Sequence, residues 1–329
     1  MLFLMADPST DPKPIRVGVS SCLLGQKVRF DGQHKRDRFL VDELGPFVEW
    51  VPVCPEVEAG FGIPRDTLRL VASSDGPRMM VQKTGEDVST RMNRYSARRV
   101  AALGKLDLCG YVLKSRSPSC GMERMKVYPS NTPGVMGKPE GVGLFAAALM
   151  ATYPNLPVEE EGRLGDPTLR ENFIERLFAY RRLRDLWRSR WMLGSLVTFH
   201  TAVKMSLLTH STDGYRALGK LVADGKSLPR EDLGAQYEAG FMATLKKPAT
   251  RGRHANVLTH MLGHLKKTLN DDDKRELLTA IEDHQRGLVP LIVPITLLRH
   301  HARRLNVGYL LGQTYLDPHP KELMLRNRI

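Results

Sequence analysis

The chain has 329 residues, 42% of them apolar and 26% charged, the composition of an ordinary globular protein rather than a disordered, collagenous or membrane-embedded one. Its formal charge of +13 is spread over both halves: residues 1–155 carry 21 Lys and Arg against 16 Asp and Glu (net +5), and the remainder 28 against 20 (net +8). That balance favours an anionic ligand, while four scattered cysteines in so long a chain exclude a disulfide framework and point to the reducing cytoplasm.

Residues 1–14 open on an apolar Met1 to Met5 without a basic flank and read as a flexible leader, not a signal peptide. A strand over Arg16–Ser21 runs into Cys22, a turn-rich loop follows through Gly32, and a helix passes through Phe39, Leu40 and Leu44. The strand Val48–Val53 ends at Cys54, and the following Pro55 to Pro64, rich in Gly and Pro, cannot begin a long helix. Met79–Gln82 reads as an edge strand. A helix from the N-cap candidate Thr90 to about Leu103 leads into the strand Tyr111–Lys114, and Gly141–Thr152 reads as a small-residue apolar helix packed on the sheet. Alternating strands and helices predict an α/β domain over residues 15–155, with a Rossmann-like, open and mostly parallel sheet.

A linker is expected over 156–165, followed by an all-α C-terminal domain over 166–329. There Phe173, Leu177, Tyr180 and Leu183 recur at helical spacing, as do Leu196, Phe199, Val203 and Leu207, and then Leu258, Met261, Leu265 and Leu269. No apolar run reaches the roughly 18 residues of a membrane span, so no membrane partner is expected.

Cys22, Cys54 and Cys120 each follow a predicted strand, whereas Cys109 precedes one. In a parallel sheet the carboxyl ends share an edge, so three distant thiols are expected in one crevice, a soft-metal site. Their spacing excludes a zinc ribbon of paired CxxC motifs and lacks the run of bacterial ferredoxins, leaving an iron-sulfur cluster as a candidate beside a zinc or redox-sensing site. No glycine-rich phosphate loop is present, which argues against nucleotide hydrolysis and hydride transfer.

Three blocks carry a resemblance: Ser20-Ser21-Cys22-Leu23-Leu24-Gly25 with Val28-Arg29-Phe30-Asp31-Gly32, then Cys54-Pro55-Glu56, then Leu113-Lys114-Ser115-Arg116-Ser117-Pro118-Ser119-Cys120-Gly121. Over roughly residues 15–150 the chain resembles the TudS-type thiouracil and thiouridine desulfidases, departing at Phe30, where many relatives have tyrosine. The helical half resembles a domain often fused to this one. The resemblance implies a 4Fe-4S cluster on Cys22, Cys54 and Cys120 whose open iron takes a thiocarbonyl sulfur, and non-redox hydrolysis of a thiolated uracil nucleotide, such as 4-thiouridine 5'-monophosphate, to the uracil form and sulfide.

That chemistry needs a general base and acid, for which Glu56 is the candidate and Glu58 the rival; Glu56 alternatively caps the turn after Cys54. Ser117 matches a family serine implicated in proton transfer, while Ser115 and Ser119 read as turn formers and Ser21 as a substrate contact. Arg29, Lys35 and Lys114 are candidates for a phosphate, and Asp31 for ribose hydroxyls or for pairing with Arg29. A second reading has the basic helical half contact RNA and deliver a thiolated tRNA nucleotide. In that half, His254, His260 and His264 lack the ligand pattern of a zinc hydrolase, Trp187 and Trp191 read as core, and Arg299, His300, His301, Arg303 and Arg304 read as a solvated basic face.

Overall fold

The protein is described by a computed structural model covering residues 15–329. The expected leader, residues 1–14, lies outside the described residues. The chain divides into two compact units between Thr152 and Tyr153.

In the first unit, β1 (Ile15–Ser20) lies between β2 (Val48–Val53) and β5 (Gly110–Leu113), parallel to both. Its near-continuous apolar sequence follows from burial on both faces. Pro52 is tolerated because β2 lies at the sheet edge, where a missing N–H breaks no ladder. At the centre of the sheet Gly18 faces the ring of Tyr111, and a Cβ there would lie 2.1 Å from a ring carbon, so only glycine admits the tyrosine.

A second, mixed sheet was not foreseen from sequence. It has the order β4-β3-β6-β7, from β3 (Leu68–Val71), β4 (Arg78–Val81), β6 (Met125–Tyr128) and β7 (Lys138–Gly141). β3 pairs antiparallel with β4 and parallel with β6, and β6 pairs antiparallel with β7. These strands have four residues each, too few to show a clear alternation. The expected edge strand near Met79 is β4.

The helix expected through Phe39 and Leu44 is a single π-helical stretch, Phe39–Leu44. After Cys54 comes only the one-turn α1 (Pro55–Glu58), then the long α2 (Ser89–Leu103) and α3 (Leu144–Thr152).

In the second unit the segment expected as a linker is ordered: Val158–Glu160 forms a short strand, β8, with all three residues buried, and Arg163–Gly165 a 3-10 turn. Arg163 pairs with Glu159 at 2.7 Å, so the acidic run that reads as solvated linker is engaged locally. Helices follow from α4 (Pro167–Arg188), whose N-cap Asp166 accepts from the N–H groups of Thr168 and Leu169, through α5 (Leu193–His210), α6 (Thr212–Ala223), α7 (Arg230–Leu245), α8 (Arg251–Gly263), α9 (Asp271–Arg286) and α10 (Ile292–Arg304). The periodic Phe173, Leu177 and Leu183 of α4 and Leu196 and Leu207 of α5 are fully buried. A second apolar cluster joins Leu258, Met261 and Leu265 to Leu277, Ile295 and Leu298.

Under this core lies a buried ionic network. Glu175 of α4 meets His210 of α5 at 3.2 Å, and Glu171 one turn earlier accepts from Arg326 at 3.1 Å and lies 3.6 Å from His319. Arg326 also donates to the carbonyl of Tyr315, anchoring the chain's last residues. Among the described residues no helix is long and apolar enough to cross a membrane.

Candidate functional site

Register brings the ends of β1 and β2 level, with Ser20 opposite Val53, so Cys22 and Cys54 leave the sheet side by side. Cys22 sits in a 3-10 turn, Ser21–Leu24, closed by Gly25 at φ +92°, and Cys54 is the residue before α1. Cys120 arrives on the loop after β5, and that loop is held by the start of α3: the N–H groups of Phe145 and Ala146 donate to the Ser119 carbonyl, and that of Leu144 to Pro118. A Cβ on Gly143 would lie 2.6 Å from the Ser119 carbonyl, so this approach requires glycine.

Cys22, Cys54 and Cys120 line one cavity of about 200 Å³. Cys109 is fully buried elsewhere, its N–H bonded to the Arg16 carbonyl. Burial pushes the Cys54 thiol up and that of Cys120 far up, with Glu56 and, for Cys120, the other two thiols adding repulsion. Among the described residues no group of three His, Cys, Asp or Glu side chains converges to hold a single metal ion. A polynuclear centre takes its thiolates at separate irons, so three soft donors around one cavity fit a cluster without meeting at one point.

Glu56 also lines the cavity and is gripped from both sides. Its Oε2 accepts from Arg65 Nε at 2.9 Å and Nη2 at 2.5 Å, while its Oε1 accepts from the hydroxyls of Ser119 at 2.9 Å and Ser117 at 3.3 Å. Arg65, 6% exposed, spends its remaining guanidinium nitrogen on the carbonyls of Val28 at 3.0 Å and Gly62 at 3.1 Å, tying the loops after β1 and β2 together. Glu58 is the residue that caps the turn: it accepts from the Cys54 N–H, the Tyr95 hydroxyl and Arg99. With both oxygens engaged outside the cavity lining, Glu58 is a structural carboxylate.

Ser117 accepts from the N–H groups of Cys120 and Ser119, so it shapes the thiol loop as well as touching Glu56. Ser21, Arg29 and Lys114 line the cavity; Asp31 and Lys35 do not. Asp31 turns to the Gln33 N–H and to Arg29, 3.4 Å away, and Lys35 stands on the exposed loop beyond, its N–H bonded to the Cys22 carbonyl. Lys114 Nζ donates to the carbonyl and hydroxyl of Ser115.

Residues 17–161 match the family model described as 2-thiouracil desulfurase. The N-terminal domain belongs to the 2-thiouracil desulfurase family. Residues 204–320 match a second model, a domain of unknown function numbered 1722. The chain is 30% identical over 158 residues to the uncharacterised protein YbgA of Escherichia coli, covering 48% of this chain and 94% of that protein. It is 33% identical over 111 residues to the uncharacterised protein YbbK of Bacillus subtilis, covering 31% of this chain and 71% of that one. A solved [4Fe-4S]-dependent thiouracil desulfidase, TudS, is 29% identical, with 46% of this chain and 93% of that chain covered and a TM-score of 0.38.

Within this desulfurase domain, Arg65 and Ser119 were missed by sequence reasoning. Arg65 lies outside the three signature blocks, and nothing local marks it as the partner of Glu56. Ser119 left a trace in the alternation Ser115, Ser117, Ser119, of which the last two hydroxyls reach Glu56. In the helical unit His254 is an internal residue: its ring is bonded to the Tyr315 hydroxyl at 3.0 Å, and burial lowers its pKa to about 3. His260 and His264 meet edge to face at 5.4 Å. Of the expected solvated basic face, His300, Arg303 and Arg304 are exposed, but His301 is buried and Arg299 turns inward to Asp317 and the Leu316 carbonyl; Arg304 pairs with Asp273. Trp191 is buried, and Trp187 packs on it at 4.7 Å while donating to Glu238.

Proposed function

We propose that the first unit is an iron-sulfur-dependent hydrolytic desulfidase acting on a thiolated uracil nucleotide, such as 4-thiouridine 5'-monophosphate, to give the uracil nucleotide and sulfide. The observation that carries this reading is a single cavity lined by Cys22, Cys54 and Cys120 together with a carboxylate, Glu56, held at both oxygens. Cys22, Cys54 and Cys120 would hold a 4Fe-4S cluster, which when bound supplies a soft Lewis-acidic iron for the substrate's sulfur.

The residues do the remainder. Glu56 takes a proton from water as its oxygen bonds to the sulfur-bearing ring carbon. The carbon–sulfur bond then breaks with its electron pair going to sulfur as the new hydroxyl collapses to C=O; Glu56 returns its proton to that sulfur, and the hydroxyl proton released in the collapse is the second that sulfur gains. One C=S bond and one water become one C=O bond and hydrogen sulfide, with no electron gained or lost. Arg65 fixes the carboxylate, and the Ser117 and Ser119 hydroxyls keep its Oε1 turned toward the thiol loop. In this reading Ser117 relays the proton, which its contact with Glu56 supports, and Ser21, which lines the cavity, contacts the ring.

The reading in which the helical half binds RNA draws on one observation, a groove lined by Lys204, Arg216, Arg253 and His260 from α5, α6 and α8. Anaerobic reconstitution decides among these. Bound iron and inorganic sulfide in equal amount, with sulfide released from thiouridine monophosphate, supports the proposal. Zinc in place of iron, or an iron-loaded protein that leaves every thionucleotide intact, overturns it. Turnover of thiolated tRNA but not of the free nucleotide selects the RNA reading.

A further inference from the structure

We propose that Arg116 selects phosphorylated substrates, its guanidinium taking the phosphate of a thiopyrimidine nucleotide at the rim of the cysteine cavity. The inference rests on the desulfidase reading and adds the residue that sets its substrate class.

Four cations line this cavity, and two are fully committed. Arg65 is spent on Glu56 and two carbonyls, and Lys114 donates to both oxygens of Ser115, while Arg29 nears Asp31 only through Nε, at 3.4 Å. Arg116 is exposed and forms no hydrogen bond, ion pair or ring contact with any described residue.

Its backbone adds an independent argument. Arg116 has φ +57°, the left-handed region, which costs a residue with a Cβ roughly 1–2 kcal/mol relative to glycine. Glycine would serve this turn better, and the arginine side chain returns no internal contact to offset the strain. What it offers is a forked cation at a cavity mouth, matched to phosphate. The cavity is graded to suit: the walls at Cys22, Cys120 and Ser20 are buried, whereas Phe30, 38% exposed, and Arg116 form the solvent side. A ligand with a soft sulfur at one end and a dianion at the other matches that gradient.

Calorimetric titration of the full chain with UMP and with uridine tests this, using wild type, Arg116→Met and Arg116→Gly. Wild type is expected to prefer UMP, and both variants to lose about 10- to 100-fold in UMP affinity, the range of a hydrogen bond to a charged group, with uridine affinity within about twofold of wild type. Arg116→Gly should melt no lower than wild type, because glycine takes this conformation without strain, so its loss of UMP cannot come from misfolding. UMP affinity equal in all three proteins, a parallel loss of UMP and uridine, or no UMP binding by wild type overturns the inference. Sulfide release by the iron-loaded wild type is read separately: Arg116-dependent UMP binding without sulfide release removes the desulfidase reading alone.

Discussion

The pairing of Glu56 with Arg65 makes a quantitative prediction. The two side chains are 14% and 6% exposed, and Arg65 donates twice to the carboxylate and once each to two carbonyls. Removing one partner of a buried pair costs about 3–5 kcal/mol, most of it from the charge left behind. Arg65→Met is therefore expected to destabilise the first unit by about 4 kcal/mol. Glu56→Gln should cost about 2–3 kcal/mol, since the amide still accepts hydrogen bonds from Arg65 and the serines. In the double variant no charge is stranded, so the two losses should fall short of additivity by about 2 kcal/mol. Opening free energies of β1, β2 and β5 peptides, from amide hydrogen exchange read by mass spectrometry, report on this unit without assuming one transition for the whole chain. Losses that add to within about 0.5 kcal/mol would refute the reasoning and leave Arg65 as a brace for the Val28 and Gly62 carbonyls. Arg65→Lys, which keeps the charge but not the fork, should recover part of the stability and little of the sulfide release.

Cys22→Ala, Cys54→Ala and Cys120→Ala should each abolish bound iron and sulfide release, whereas Cys109→Ala should keep both; iron analysis of the four purified variants is the check. Ser119→Ala removes the shorter hydroxyl contact to Glu56 without touching the cavity wall, so turnover should fall by about tenfold, the worth of one charge-assisted hydrogen bond, with iron content unchanged. In the helical unit, burial works to raise the Glu175 pKa but the facing His210 outweighs it, with Arg326 and His319 adding, and the carboxyl is held down at about 2 against an ordinary 4.5. His210 is raised for the reciprocal reason: burial opposes its charge, and Glu175 prevails. Glu175's contribution, on the order of 3 kcal/mol, is thus present above pH 4.5 and lost as pH falls toward 2, while that of His210 is complete below 6.5 and fades as pH rises through its raised value. Urea titrations of wild type and Glu175→Gln at a series of pH values check this; an acid-side slope undiminished by the substitution refutes it, since Glu171, also held down, keeps only its own share.

Much of the molecule was legible in the one-dimensional pattern. The three parallel strands of the first sheet announce themselves as apolar runs because burial on both faces removes polar alternatives, and α2, α4, α5 and α8 show their buried stripes at helical spacing. The three cysteines were placed on one edge by the same logic, since parallel strands bring their carboxyl ends together wherever the connections run. The second sheet escaped because four-residue strands carry too little periodicity, and the segment at Val158 because its burial comes from contacts its acidic composition does not display. Asp31 and Lys35 share a loop with Arg29 in sequence and stay close to it, but both are exposed and only Arg29 lines the cavity. What tertiary structure alone decided is which groups meet the Glu56 carboxylate. Arg65 lies nine residues from Glu56, and Ser119 sixty-three, and their convergence depends on where the loops after β2 and β5 fold back. Whether a segment forms a strand or helix is a local preference written along the chain, whereas a side chain's partner is set by the packing of segments that the sequence holds far apart.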